Sequence, residues 1–240
     1  MNKITHFGLN LNKRKYEFKL VREEYAIINN KCSFSRRYLS SKLHLDIVKA
    51  HPDMYTDDTG QFYSDEWCIN HQNNCLKNFD LSMKYFSLLD KNEFNNEINS
   101  FLKKYKSFKS VSDLNEYKYV SGCYIMVLDE YKQIYIGVAN DIKRRIQQHW
   151  TKMKPFDRLL FPQDAVETSI MSIDSFRALD TTRIYAYKCN NYYDLENQYI
   201  EYFSPKFICN RRSGGKFDDS TLPMAIMALA TMKSRELEKI

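Results

Sequence analysis

The hydrophobic period of the chain changes at Tyr119, and that change constrains the fold more than any other feature. Upstream, apolar residues recur at helical spacing: Leu39, Leu43, Ile47 and Val48 within a basic stretch over 35–50, then two further stretches over 67–89 and 93–105. From Tyr119, β-rich runs over 119–128 and 133–137 flank the polar turn DEYK, a hairpin signal. Asp141 then stands where an N-cap belongs, ahead of IKRRIQQHW, whose Ile142, Ile146 and Trp150 share a side. A strand over TRIYAYKC, a helix over YYDLENQYIEYF closed by Pro205, and a last helix over 219–238 complete the order. The order predicts an α+β fold: a small antiparallel three-stranded sheet flanked by helices, because such a sheet must bury its faces. A mostly helical N-terminal domain over 1–118 is expected before a sheet domain over 119–240. The boundary is expected near 107–118, where apolar periodicity is weak.

At 240 residues the chain can bury a substantial core, and its 43% hydrophobic content argues for a folded, helix-rich protein. Its longest apolar stretch, over 222–232, is too short to span a bilayer, and its first residues lack the apolar core of a secretion signal. A cytoplasmic chain with no membrane association is expected. The net charge of +6 is distributed in blocks, +7 over 1–50, −6 over 51–100 and +6 over 101–160. Basic surfaces of this kind suit a polyanion, although many unrelated soluble proteins are as basic. Six cysteines follow no disulfide-framework spacing. Cys68, His71 and Cys75 lie at helical spacing and, with Cys32, leave two readings open: a zinc site, or a helix face packed under the N-terminal domain.

Within GCYIMVLDEYKQIYIGVANDIKRRIQQH, side chains of the hairpin alternate faces, so Tyr124 and Tyr135 can meet across one face. Tyrosine is also a favoured sheet residue, and a pair among eighteen tyrosines carries little weight alone. Arg145 and His149, four residues apart on the helix, project from one side. Gly137 ends a strand just before that helix, where backbone can approach a ligand and a helix N-terminus attracts phosphate. Two phenols, a guanidinium and an imidazole offer what phosphodiester chemistry needs: a proton acceptor, charge stabilisation and a seat for the phosphate.

The run SGCYI, followed by YIGVANDIKRRIQQH beginning eleven residues after Tyr124, resembles the core of the GIY-YIG nuclease superfamily. GCY stands for the first tripeptide, with Cys123 in place of the usual isoleucine, and YIG matches the second. Arg145 falls eight residues after Gly137 and His149 four later, as in that family. LENQYIEYFSPKFICN supplies Glu196, Ile200, Pro205 and Asn210 in the family's order. Glu201 competes as the carboxylate but lies about 140° around the helix from Glu196. The resemblance covers roughly 119–215, and 46 residues separate His149 from Glu196, an insertion that either contacts nucleic acid or thickens the domain.

The resemblance implies a metal-dependent DNA endonuclease leaving 5′-phosphate and 3′-hydroxyl ends. It implies Glu196 as ligand of one Mg²⁺ or Mn²⁺ ion and Tyr124 as general base or water-orienting group. Arg145 would stabilise the transition state, Tyr135 and His149 would orient water or relay protons, and Asn210 would tie the last helix to the site. Gly137, Lys143, Arg144, Arg211, Arg212 and Lys216 are expected to face the DNA. The alternative reading is a non-cleaving nucleic-acid-binding or regulatory protein on the same fold. A homodimer is expected only if both strands of a symmetric site are cut. Neither the protein partner of the N-terminal domain nor the biological role can be read from the sequence.

Overall fold

The computed structural model describes residues 3–12, 18–22, 25–26, 65–152, 159–161, 166–190 and 195–211. The helices expected over 35–50 and 219–238, together with Cys32, Arg212 and Lys216, lie outside the described residues.

The described residues open with a hairpin, β1 (Lys3–His6) and β2 (Leu9–Asn12), turned through Phe7 and Gly8 at positive φ. Its alternating pattern buries Leu9 and Leu11 and exposes Asn10 and Asn12. Helices α1 (Asp65–Leu88) and α2 (Lys91–Lys104) follow. Asp90 caps α2 by accepting from Glu93 N at 2.6 Å, and Phe94, Ile98 and Phe101, spaced four and three apart, form its buried stripe. No helix among the described residues is long and apolar enough to cross a membrane.

The sheet has four strands rather than the expected three, in the order β3 (Lys109–Ser110), β6 (Arg183–Lys188), β4 (Gly122–Leu128), β5 (Gln133–Ala139), every neighbour antiparallel. The additional strand is two residues long with both side chains exposed, so it leaves no hydrophobic pattern to read. It is held through its backbone to Tyr185 and Ala186. Residues around it in the 107–118 segment are anchored too: Phe108, Val111, Leu114 and Tyr117 are all buried.

All seven residues of β4 are buried because helices cover both faces of the sheet. Tyr124, Met126 and Leu128 point into one apolar cluster with Leu9, Leu11, Phe79, Phe86 and residues of helix α3 (Ile142–Thr151). Cys123, Ile125 and Val127 point into a second with Phe94, Ile98, Phe101 and Phe207, joined by Tyr199 of the short helix α4 (Leu195–Ile200). That helix is shorter than the sequence predicts, giving way to turns and a 3-10 segment over Pro205–Phe207. Asp141 caps α3 as expected, accepting from Arg144 N at 2.9 Å. Ile142 N donates to Val120 O at 3.0 Å, which ties the start of α3 to the entry of β4.

The insertion between His149 and Glu196 runs inward. Its described part holds two 3-10 turns, Ile173–Ser175 and Ala178–Asp180, and residues 169–178 are buried throughout. Asp180 accepts from Leu20 N, Arg177 N and Tyr131 Oη at 2.7–3.0 Å, so this segment joins the N-terminal stretch to the hairpin turn.

Gly122 sets how closely β4 and β6 approach. It sits at φ +150°, and a Cβ there would lie 2.0 Å from the Tyr187 carbonyl oxygen. Gly122→Ala is therefore expected to destabilise the fold by about 2 kcal/mol or more, a drop of roughly 4–8 °C in melting temperature. Thermal unfolding checks this, and an unchanged melting temperature contradicts it.

Candidate active site

The hairpin register decides how the two tyrosines meet. Tyr124 pairs with Gly137 and Tyr135 with Met126, so the tyrosines are diagonal neighbours on one face, their ring centres 6.2 Å apart. A Cβ on Gly137 would fall 2.5 Å from the Tyr124 oxygen and 2.9 Å from the Tyr135 ring. Gly137 thus makes room for the phenols, whereas the sequence suggested room for a ligand.

Helix α3 lays its last turn over this spot. His149, buried, receives the Tyr124 hydroxyl at its Nε2, 2.9 Å away, and packs edge-on to Tyr135 at 4.8 Å between ring centres. One turn earlier stands Arg145, half-buried, whose positive charge acts on the Tyr124 phenol. Glu196 on α4 is half-buried, and its charge acts on Tyr124, Tyr135 and Cys123. Asn210 braces the strand below: its Nδ2 donates to Ile136 O at 2.6 Å and its Oδ1 accepts from Ile136 N at 3.0 Å. With Ile208 bridged in parallel to Ile134, the segment covers the outer edge of β5 as a further strand would. Tyr124, Tyr135, Arg145, His149, Glu196 and Asn210 therefore converge around the middle of β5.

The residues expected to face DNA scatter more widely. Arg144 is exposed on α3, while Lys143 is half-buried and donates to Asn115 Oδ1 at 2.7 Å. Arg211 turns inward: its Nη2 donates to Leu159 O at 3.0 Å, and burial lowers its pKa to about 10. Of the residues with zinc-like spacing, His71 is buried and stacked on Trp67, and burial pushes the Cys75 thiol up to about 12. Among the described residues no group of three or more His, Cys, Asp or Glu is placed to hold a metal ion.

One residue of the cluster escapes the sequence reading altogether. Asp174, in the inserted segment, accepts from His149 Nδ1 at 2.7 Å, and its other oxygen lies 3.5 Å from Lys152 Nζ. Its only sequence signal is an acid set among the apolar Ile173 and Phe176, which would bury without trouble where a carboxylate needs a partner.

Electrostatics follow from this burial. Desolvation pushes the Tyr124 phenol well above its usual range, and Tyr135 adds to the shift while Arg145 opposes it. The Tyr124 phenol is thus protonated in the free protein. Tyr135 moves up for the same reason, with Glu196 reinforcing it. For Arg145, burial is the largest effect and favours the neutral form, but Tyr124, Tyr135 and Asp174 together outweigh it and keep the guanidinium charged. Burial draws His149 below 6.5, more than Asp174 raises it, so the imidazole is neutral at pH 7.

Residues 120–208 match the family model described as the GIY-YIG catalytic domain. The chain carries a GIY-YIG domain. The match starts just before β4 and ends beside the Asn210 clamp, so it takes in the hairpin, α3, the inserted segment and α4. Such domains form a family of nuclease type. Comparison with curated proteins and with solved structures gave no match.

The His149 shift has a sign that can be checked. Because the folded-state pKa lies below the unfolded value of 6.5, the unfolded chain binds that proton first. Stability from His149 is complete above pH 6.5 and is lost as pH falls through the folded pKa. In an NMR titration His149 is expected to protonate below 6.5, as is His6, which burial lowers likewise. A His149 midpoint at or above 6.5 contradicts the assignment.

Proposed function

We propose that the chain is a metal-dependent DNA endonuclease, hydrolysing phosphodiester bonds to 5′-phosphate and 3′-hydroxyl products. The observation that carries this reading is the meeting of Tyr124, Tyr135, Arg145 and His149 above Gly137, with Glu196 in electrostatic reach.

A half-buried carboxylate in electrostatic reach of the phenols fits magnesium or manganese. Magnesium keeps several waters and completes its shell with one or two carboxylates and substrate phosphate. Glu196 would hold the ion, which when bound supplies polarisation of the phosphate and stabilisation of the leaving 3′ oxygen.

The chain's own groups supply the rest. Tyr124 has no exposed surface, and the Arg145 charge acts on its phenol. A phosphate competes well for that planar guanidinium. Arg145 therefore swings to the substrate and uncovers the phenol, and its charge then stabilises the transition state. Tyr124 does not store a proton deficit, since burial disfavours the phenolate. It passes a proton on: the attacking water gives one to the phenol oxygen as the phenol gives its own to His149 Nε2. The hydroxide so formed bonds to phosphorus, the bond to the 3′ oxygen breaks, and that oxygen is protonated by solvent. Tyr135, half-buried at the rim and edge-on to His149, orients the water.

Arg144, exposed on α3, contacts phosphate, and Lys143 joins it on release from Asn115. Binding through such contacts is sequence-independent and falls steeply with salt.

Cleavage of supercoiled plasmid and of branched DNA tests the reading. Nicking or linearisation is expected with Mg²⁺ and none with EDTA. Glu196→Ala is expected to slow it by about a thousandfold or more while DNA binding persists. If wild type binds DNA in a salt-dependent way but cuts no substrate with either metal, the reading is wrong and the domain is a binding module.

A further inference from the structure

The hydrogen-bond geometry around His149 shows more than the proposed reaction requires. A neutral imidazole that only has to accept the Tyr124 proton at Nε2 needs an acceptor at Nδ1, and a backbone carbonyl would serve. The chain instead buries a carboxylate there, its side chain 4% exposed, at a desolvation cost that a neutral partner avoids.

We propose that Asp174 is a positioning residue of this site, holding His149 in the Nδ1–H tautomer and balancing the imidazolium formed when Tyr124 passes its proton on. The proposal rests on the nuclease reading for its kinetic part. As a carboxylate Asp174 only accepts, which puts the proton of a neutral His149 on Nδ1 and leaves the Nε2 lone pair aimed at the Tyr124 hydroxyl, 2.9 Å away. The result is a line of three groups, Tyr124 on β4, His149 on α3 and Asp174 on the inserted segment, bonded at 2.9 and 2.7 Å.

The surroundings favour this role over a merely structural ion pair. The groups acting on the ring besides Asp174 are Arg145 and Lys152, both cationic and opposed to its protonation, and the neutral phenols of Tyr124 and Tyr135 pack against it. Asp174 is thus the counter-charge bonded to the ring when it accepts a proton. Its own position is fixed independently of His149. Ser172 Oγ accepts from Asp174 N at 3.3 Å, and Arg177, itself buried, donates from Nη1 to Asp174 O at 3.0 Å and reaches Lys152 O at the end of α3 at 3.5 Å. Arg177 so fastens the turn bearing Asp174 to the helix bearing His149. The insertion thereby carries the third member of the proposed proton path.

Single-turnover cleavage against pH, together with ¹⁵N NMR of the His149 ring, tests this with wild type and Asp174→Asn. In wild type at pH 7, Nδ1 is expected protonated and Nε2 bare, and the rate is expected to fall on the acid side as His149 protonates. Asp174→Asn is expected to cut about 10²–10⁴-fold more slowly with unchanged DNA affinity and melting temperature. Its acid limb is expected to move to lower pH, because the carboxylate that favours the imidazolium is gone. A structural role alone would leave that limb in place. The proposal is overturned if wild-type His149 carries its proton on Nε2, whether or not Asp174→Asn folds. It is also overturned if Asp174→Asn cuts at the wild-type rate with the wild-type profile while Glu196→Ala is inactive. If wild type cuts nothing, the nuclease reading fails, and the ring tautomer still decides whether Asp174 sets the hydrogen-bond direction.

Discussion

The hydrogen bond from Tyr124 to His149 joins the central strand to the helix packed across it, and much of the architecture serves to make it. Both partners are buried, so each must be satisfied from within. A buried polar group left unpaired costs about 1–3 kcal/mol, more than one ordinary hydrogen bond contributes on balance. The tyrosine requires a glycine beneath it on β5. The histidine requires Asp141 and Val120 to start α3 at a fixed place, so that the ring arrives over the sheet two turns later.

The same bond links stability to the proposed chemistry. Burial that holds the phenol protonated also holds the imidazole neutral, which gives one donor and one acceptor in contact. A site built from an exposed phenolate would need cations in excess. In the proposed reaction the buried pair needs only a route for the proton, which leaves Arg145 for the phosphate. Glu196 stands apart from this line, on the short helix that closes the second apolar cluster, so the proposed metal ligand and the proposed proton path sit on different elements.

What could be read from the sequence was whatever leaves a local pattern. The hairpin, the Asp141 cap and the Ile142, Ile146, Trp150 stripe are all visible in strand and helix periods, and the spacing from Gly137 to Arg145 and His149 follows from them. The strand at Lys109–Ser110 was invisible because two exposed residues paired only through backbone have no period. The N-terminal hairpin went unread because its strands are only four residues long, too short for their alternation to define a hairpin. Asp174 was out of reach for a different reason: it meets His149 through a fold of the chain 25 residues long, and no local rule relates the two. Arg211 looked like a surface cation in a basic run, and only the packing around it reveals that it faces inward.

In the proposed chemistry Tyr124 moves a proton rather than merely filling space above Gly137. The most direct test is single-turnover DNA cleavage by Tyr124→Phe, which keeps the ring and removes the hydroxyl. The variant is expected to fold, to bind DNA as wild type does, and to cut about 10²–10⁴-fold more slowly across the pH range. Cleavage at the wild-type rate would contradict this role, because the bond to His149 would then be structural and the water would be activated elsewhere.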